Sequence, residues 1–270
     1  MGALTRIFTL LLKPFEGGNA LGGIIFISIL TGGVMLFLFR FTSNQQAMKE
    51  VKTRISAYFL ELRLYSNDIS NVMASQAKIM RSNLSYMKLS LIPALVLIIP
   101  VIVVMIQLNL RYASQQLVPG ETALVKVKVS EGFDVMRNRM DLECGSGLEK
   151  ASPGVRIPEL NEVCFKVKLT EPGIHKITLG TGAATMEMPI FGSDRLVPVY
   201  SVFKKGSLVG AISNPGSPTV PDEAPIERIE VSYRPMEFKF PAGFRLSWLW
   251  TFLIISFAFG LVLKFVFNVE

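Results

Sequence analysis

The sequence predicts an α-helical membrane protein with three transmembrane helices, a helical hairpin between the first two and a β-rich domain before the third. Three observations carry this prediction: three long apolar stretches, a polar stretch with helical spacing, and a later region of alternating apolar and polar residues. Half of the 270 residues are hydrophobic and 18% are charged, which leaves room for a water-exposed domain.

The apolar stretches lie at residues 22–40, 89–108 and 246–267. Each has the length of about 20 residues that a helix needs to cross roughly 30 Å of hydrocarbon. The first is uncharged up to Arg40, the second has no charge, and the third contains only Lys264, near enough to its end to snorkel to the interface. Trp248 and Trp250 begin the third stretch, where aromatic rings prefer the headgroup level.

Residues 1–16 predict an amphipathic helix on the outer leaflet, followed by a bend near Asn19. Its apolar face combines Leu4, Ile7, Phe8, Leu11 and Leu12. A cleaved signal peptide is the competing interpretation. The apolar stretch that follows is too long for one, Arg40 comes directly after it, and a small-residue cleavage site is missing, so we expect a retained span.

Residues 41–87 predict a helical hairpin, because apolar residues recur there at helical spacing in an otherwise polar stretch. Asn67 and Asp68 offer a break between two short antiparallel helices. One long helix that docks elsewhere is the alternative.

Charge indicates the orientation of the spans. Basic residues exceed acidic ones between the first two spans, whereas residues 111–245 are nearly balanced. The positive-inside rule therefore places the hairpin and the C-terminus in the cytosol and the large loop outside the membrane. Because the net charge of +7 is concentrated in this way, we expect no nucleic-acid partner. The partner that we expect is the lipid bilayer, in a bacterial or archaeal cytoplasmic membrane.

Residues 114–240 predict an extracytoplasmic all-β domain. Alternation predicts strands at 123–129, 140–144, 163–169, 174–179 and 184–190, separated by the turn pairs Pro119-Gly120, Pro153-Gly154 and Pro172-Gly173. An immunoglobulin-like sandwich is the architecture we expect. Residues 197–240 either add strands to the same sheet or run along the bilayer surface.

Cys144 and Cys164 are the two cysteines, and both adjoin predicted strands. A disulfide between them would contribute about 3 kcal/mol in an oxidising compartment, and two buried thiols are the alternative. The sequence has no metal-ligand cluster, no nucleophile paired with a base and no glycine-rich phosphate loop. We therefore expect neither a metal nor a cofactor, and no covalent enzyme chemistry.

Three segments, taken in order, resemble a known family: FTSNQQAMKEVKTR at 41–54, SLIPALVLIIPVIVVM at 90–105 and FPAGFRLSWLWTFLIISFAFGLVLK at 240–264. Together with the N-terminal amphipathic helix, they are similar to the YidC superfamily of membrane protein insertases. The similarity is greatest to its three-span branch, which includes the archaeal YidC-like proteins and the insertase subunit of the endoplasmic reticulum membrane complex. It covers about residues 1–110 and 238–268.

The resemblance implies an insertase or membrane chaperone for newly made membrane proteins, alone or within a membrane-protein complex. Such proteins lower the cost of moving polar groups through hydrocarbon with a polar groove open to the cytosol. The groove candidates are Ser28, Thr31, Gly33, Arg40, Lys88, Ser90, Ser256 and Lys264. Close helix packing is the alternative role for the small residues, and positive-inside anchoring is the alternative for the three cations.

One feature departs from the family pattern. YidC-type insertases commonly carry an arginine within the first span, and the stretch around Thr31 and Met35 is uncharged here. An interaction subunit is therefore the alternative function, with the helical frame as a scaffold and the β-domain as the surface that binds a protein partner.

Overall fold

A computed structural model describes residues 3–17, 19–130, 132–181, 185–193, 195–206, 216–240 and 243–267. The chain divides into two compact units, each treated separately below. One comprises Met1–Ile24 and Ile106–Leu249, and the other comprises Ile25–Met105 and Trp250–Glu270.

The helices within the described residues are α1 (Ala3–Leu12), α2 (Ala20–Thr42), α3 (Gln45–Leu64), α4 (Ile69–Tyr112) and α5 (Trp248–Phe267). Helices α2, α4 and α5 are long and apolar enough to cross a membrane. The chain is therefore an integral membrane protein, and the predicted spans lie on these helices except for residues 246–247, which belong to a short strand before α5.

Polar side chains begin three of the helices. Asn19 Oδ1 accepts a hydrogen bond from the Gly22 amide (2.9 Å), and Asn44 Oδ1 accepts one from the Ala47 amide (3.1 Å). Asp68 Oδ1 accepts from the Ser70 amide at 3.0 Å. Each cap satisfies an amide that has no partner within its own helix, and this fixes where α2, α3 and α4 begin.

The predicted hairpin is present as two helices, with its break at residues 65–68. Lys78 of α4 joins Glu61 of α3 (Nζ to Oε1, 2.9 Å) and lies 5.6 Å from the ring centroid of Tyr58. The second hairpin helix is not short, however. It continues without interruption into the second span, so α4 has 44 residues with Pro93 and Pro100 inside it.

Helix α1 confirms the predicted N-terminal helix, followed by a 3-10 turn at Lys13–Phe15. Its apolar residues do not share one environment, since Phe8 and Leu12 are buried whereas Leu4 and Ile7 are exposed. Placement of α1 on a leaflet stays a prediction.

The strands are β1 (Ser114–Gln115), β2 (Thr122–Val129), β3 (Asp141–Cys144), β4 (Leu148–Ile157), β5 (Glu162–Leu169), β6 (Gly173–Gly180), β7 (Thr185–Gly192), β8 (Val202–Lys204), β9 (Ile226–Ser232), β10 (Arg234–Pro235), β11 (Glu237–Lys239) and β12 (Arg245–Ser247). One antiparallel sheet has the order β4-β5-β2-β9-β8 and another has the order β3-β6-β7. Short pairs β1-β10 and β11-β12 lie beside them. The two larger sheets share one hydrophobic core, to which β2, β5 and β9 contribute Val125, Phe165 and Ile229, and β6 and β7 contribute Ile177 and Met188.

Four predicted strands correspond to β2, β3, β5 and β6. The strand predicted at 184–190 corresponds to β7, although Ala184 lies outside the described residues. For residues 197–240, the two alternatives were added strands in the same sheet or a path along the bilayer surface. Strands β8 and β9 agree with the first alternative, because both extend the larger sheet.

The prediction of a turn at Pro153-Gly154 was wrong, because both residues lie within β4. Strand β4 is at the edge of its sheet, where a proline costs no interior ladder bond, and its pairing with β5 shifts register on either side of Ser152. A Cβ added at Gly154 would lie 2.5 Å from Phe165 Cε1, so the strand approaches that ring too closely for any side chain.

Cys144 and Cys164 are free thiols in the structure, so they do not form the predicted disulfide, and both are half-buried rather than buried as the alternative had it. Cys144 packs against the core, whereas Cys164 alternates with the buried Val163 and Phe165 and so points to the opposite face of its sheet. Partial burial raises the pKa of both thiols. A raised thiol pKa leaves less thiolate at neutral pH, so neither cysteine has the character of a nucleophile.

Candidate functional site

A cleft of about 540 Å³ lies among the helices of the unit formed by residues 25–105 and 250–270. Most of its lining is apolar. The apolar side chains are Met35, Leu36 and Phe39 of α2, Met48 of α3, Leu97 and Val101 of α4, and Phe252, Leu253, Phe257 and Leu261 of α5.

A few polar groups interrupt this apolar wall: Thr31, Tyr86, Ser90, Ser256 and Lys264. Ser256 Oγ donates to the carbonyl oxygen of Leu253 (3.2 Å). Ser90 Oγ is buried and has no hydrogen-bond partner within the described residues. An unsatisfied buried hydroxyl costs about 1–3 kcal/mol, so a bound polar group that satisfied Ser90 would recover part of that cost.

Four of the eight groove candidates surround the cleft: Thr31, Ser90, Ser256 and Lys264. The other four do not line it. Ser28 is fully buried elsewhere, Gly33 faces Leu263, and Arg40 and Lys88 are exposed. Lys264 is the one charged side chain that the described residues contribute to the cleft.

Helical periodicity explains which neighbours complete the cleft. Residues four apart lie one above the other on a helix, so Thr31 is followed by Met35 and Phe39, and Tyr86 by Ser90. On α5, Ser256 is followed by Gly260 and Lys264 in the same way. The groove candidates predicted from the sequence did not include Met35, Phe39, Met48 and Tyr86. Met35 and Phe39 lie four and eight residues after Thr31, and Tyr86 lies four residues before Ser90, so helical spacing from these candidates would have predicted them. Met48 has no such spacing.

Helices α2 and α5 approach closely beside the cleft. A Cβ added at Gly32 would lie 2.7 Å from the carbonyl oxygen of Ser256, so only glycine permits this separation. Gly260 is different, because a Cβ added there would have no heavy atom within 4 Å. One glycine therefore sets the helix contact and the other keeps the cleft open.

The lining offers apolar contacts, hydroxyl groups and one ammonium group. The described residues contain no group of three or more His, Cys, Asp or Glu side chains that could hold a metal ion. What the cleft can do is bury apolar side chains of a partner while offering it hydroxyl groups and one cation. Methionine side chains such as those of Met35 and Met48 adapt to partners of varied shape, and methionine is common at promiscuous binding surfaces.

These features define an integral membrane protein whose described residues include three helices able to span the bilayer, an apolar cleft among those helices and a separate β-rich unit. Comparison of the sequence with protein-family models and with characterised proteins finds no match.

Proposed function

We propose that this protein is a membrane protein insertase or membrane chaperone that receives apolar segments of newly made membrane proteins in the α2–α5 cleft. The proposal places it in the three-span branch of the YidC superfamily. One observation carries it: four of the eight groove candidates, Thr31, Ser90, Ser256 and Lys264, line one cleft among the apolar helices.

The chemistry of the cleft suits a client in transit. Burial of one large apolar side chain contributes about 1.5–3 kcal/mol, so a few such contacts hold a hydrophobic segment without trapping it. Hydroxyl groups and a cation give the polar groups next to that segment partners that hydrocarbon lacks. This arrangement lowers the barrier to insertion without any covalent step.

The orientation and the finer fold belong to the same proposal. The excess of basic residues between the first two spans supports a cytosolic hairpin and C-terminus, and hence an extracytoplasmic β-domain. Two antiparallel sheets around one core support an immunoglobulin-like sandwich for that domain.

The test fills the cleft without disturbing the helices. We expect Gly260→Phe to place its ring in open space, and Val262→Phe is the matched control on an exposed position of the same helix that does not line the cleft. Each client side chain that loses its contacts forfeits about 1.5–3 kcal/mol, so we expect Gly260→Phe to reduce insertion about tenfold or more. Insertion of a single-span reporter with a short translocated tail into proteoliposomes measures this.

Equal activity of the wild type, Gly260→Phe and Val262→Phe would show that the cleft does not receive the client. Loss in both variants, with unchanged helix content, would point to a general effect of bulk on α5. The first result would favour the interaction-subunit function, and the second would contradict the assignment of client binding to the cleft.

A further inference from the structure

A buried arginine lies at the end of the second spanning helix. Arg111 is 2% exposed. Its Nη1 donates to the carbonyl oxygen (3.0 Å) and Oε1 (3.1 Å) of Gln107, and its Nη2 donates to Thr5 O (3.1 Å) and Thr9 Oγ1 (2.9 Å). All four acceptors are neutral, and Nε has no partner within the described residues.

This arrangement leaves a buried positive charge without a paired carboxylate in the part of the chain that the structure describes. Arginine cannot shed its proton to avoid the cost of burial. Burial of a charge is expensive unless an opposite charge compensates for it. The four hydrogen bonds orient the guanidinium group but do not neutralise its charge. An anion bound beside Arg111 would therefore compensate for the buried positive charge.

Beside Arg111 lies a cavity of about 840 Å³ within the unit formed by residues 1–24 and 106–249. Its wall includes Glu16, Gln116, Ser193 and Arg195. Gln116 Nε2 donates to the Arg195 carbonyl oxygen (2.5 Å), and Gln116 Oε1 accepts from the Ser193 amide (3.0 Å). The Ser193 amide and the Arg195 carbonyl group are thereby held at the cavity. The exposed side chain of Arg195 has no ion pair with any described residue.

The charges of the described residues at the cavity do not cancel. Among these residues, the guanidinium groups of Arg111 and Arg195 and the Glu16 carboxylate leave one unit of positive charge, which a single phosphodiester would neutralise. Arginine is well suited to this, because its planar fork matches phosphate oxygens.

The position of the cavity indicates where such a phosphate comes from. Its wall contains Ala20, the first residue of α2, and Arg111, one residue before the end of α4. The ends of membrane-spanning helices lie at the depth of the lipid headgroups. Helix α1, which supplies Thr5 and Thr9 to Arg111, also exposes Leu4, Ile7 and Leu10, as an interfacial helix does.

We propose that the Arg111 cavity is a binding site for the headgroup phosphate of an anionic phospholipid, held by the charge of Arg111 and by direct contact with Arg195. The bound lipid supplies the missing counter-charge and anchors the end of α4 to the leaflet in which it sits. The site is separate from the α2–α5 cleft and does not depend on the insertase proposal.

The test uses the full-length protein in detergent micelles and native mass spectrometry. Phosphatidylglycerol and phosphatidylcholine with identical acyl chains are titrated in parallel, and inorganic phosphate is added as a competitor. We expect phosphatidylglycerol to be retained preferentially and millimolar phosphate not to displace it. Equal retention of both lipids, or displacement by phosphate, would overturn the lipid assignment.

Three variants locate the site. Loss of a charge-assisted hydrogen bond corresponds to about tenfold in affinity, so Arg195→Gln should reduce phosphatidylglycerol retention by about that factor. Glu16→Gln removes the carboxylate that repels an anionic headgroup. Retention of phosphatidylglycerol should therefore rise about threefold, because an interaction between surface charges is weaker than a charge-assisted hydrogen bond. Arg139→Gln makes the same charge change at an exposed loop position that does not line the cavity, and it should leave retention unchanged.

Arg195 is exposed, so its replacement is not expected to disturb folding, and unchanged thermal midpoints would verify this. Arg111→Gln also removes the ties to α1, and it serves only as a supporting variant. If Arg195→Gln and Glu16→Gln both retain lipid like the wild type, or if Arg139→Gln weakens retention as much as Arg195→Gln does, the proposal is wrong.

Discussion

Lys264 combines two roles that the sequence presents as alternatives. It lies near the end of α5, as an anchoring lysine would, and it also lines the cleft. A lysine can do both, because its apolar stem follows a hydrophobic wall while its ammonium group reaches the interface. Arg40 and Lys88 are exposed and do not line the cleft, so anchoring stays the proposed role for both.

Lys264→Glu should therefore discriminate between clients by charge. We expect it to slow insertion of a reporter with an acidic tail about tenfold, because reversal of one nearby charge changes the interaction by about 1–2 kcal/mol. A reporter with a basic tail should not be slowed. Proteoliposome insertion assays with the two tails measure the difference.

Arg40→Glu is the matched control, with the same charge reversal outside the cleft. It should affect both reporters equally and weakly. If Lys264→Glu and Arg40→Glu behave alike with both tails, Lys264 only anchors the helix.

Ser90 shows what the sequence predicted of the site and what it did not. An uncharged span with an isolated serine predicts a polar point at that depth, and the structure has Ser90 at the cleft. Lys88 has a similar depth but is two residues from both Tyr86 and Ser90, which places it on the opposite face of α4. Composition indicates how deep a residue lies along a membrane-spanning helix. Which face of that helix lines the cleft depends on tertiary contacts, and a local sequence pattern does not reveal those contacts.

At the scale of elements, one helix boundary of the hairpin could be predicted from the sequence and the other could not. The break at Asn67 and Asp68 was predictable because a capping side chain acts within a few residues. The end of the hairpin near residue 88 was not, because the change there is from polar to apolar composition, and it carries no helix-stop signal. Helix α4 therefore passes from one environment to the other without ending.

Packing faces were harder to predict than helices. Met73 and Met80 are among the apolar residues that recur at helical spacing in the hairpin, yet both are exposed, and Ser75 and Ile79 are buried instead. In the β-domain, Pro153 and Gly154 carry the local signal of a turn, but the edge position of β4 and the nearby Phe165 ring accommodate them within a strand. In both cases tertiary contacts decided between local possibilities.

The contact between α2 and α5 gives a prediction about stability. A methyl group at Gly32 would be 2.7 Å from the Ser256 carbonyl oxygen, so Gly32→Ala should force the helices apart and destabilise the protein by about 1–3 kcal/mol. Gly33→Ala is the control, since its methyl group would meet only Leu263 Cδ1 at an ordinary 3.8 Å. Thermal unfolding in detergent, followed by helix content, should show a lower midpoint for Gly32→Ala alone. Equal midpoints for the two variants would mean that the helices do not pack at Gly32.

At the scale of the whole molecule, the chain enters and leaves the β-domain at one place. Strand β1 pairs with β10, with Ser114 opposite Pro235 and Gln115 opposite Arg234, and the Met236 amide also donates to the Ala113 carbonyl oxygen (3.3 Å). A domain whose two ends are paired in this way can be removed without leaving a gap in the chain.

This pairing permits a clean separation of the insertase function from the interaction-subunit function. Replacement of residues 116–233 by Asn-Gly would join Gln115 to Arg234 through a two-residue turn of the type that antiparallel strands favour. If the cleft carries the function, the shortened protein should still insert the short-tailed reporter, with a rate within about tenfold of the full-length rate, since the lining of the cleft is untouched. Gly260→Phe in the shortened protein should reduce the remaining insertion about tenfold or more, as in the full-length protein, which would tie that activity to the cleft. Complete loss of insertion in a shortened protein of normal helix content would instead assign the function to the β-domain, because the helical frame would then be a scaffold that positions it.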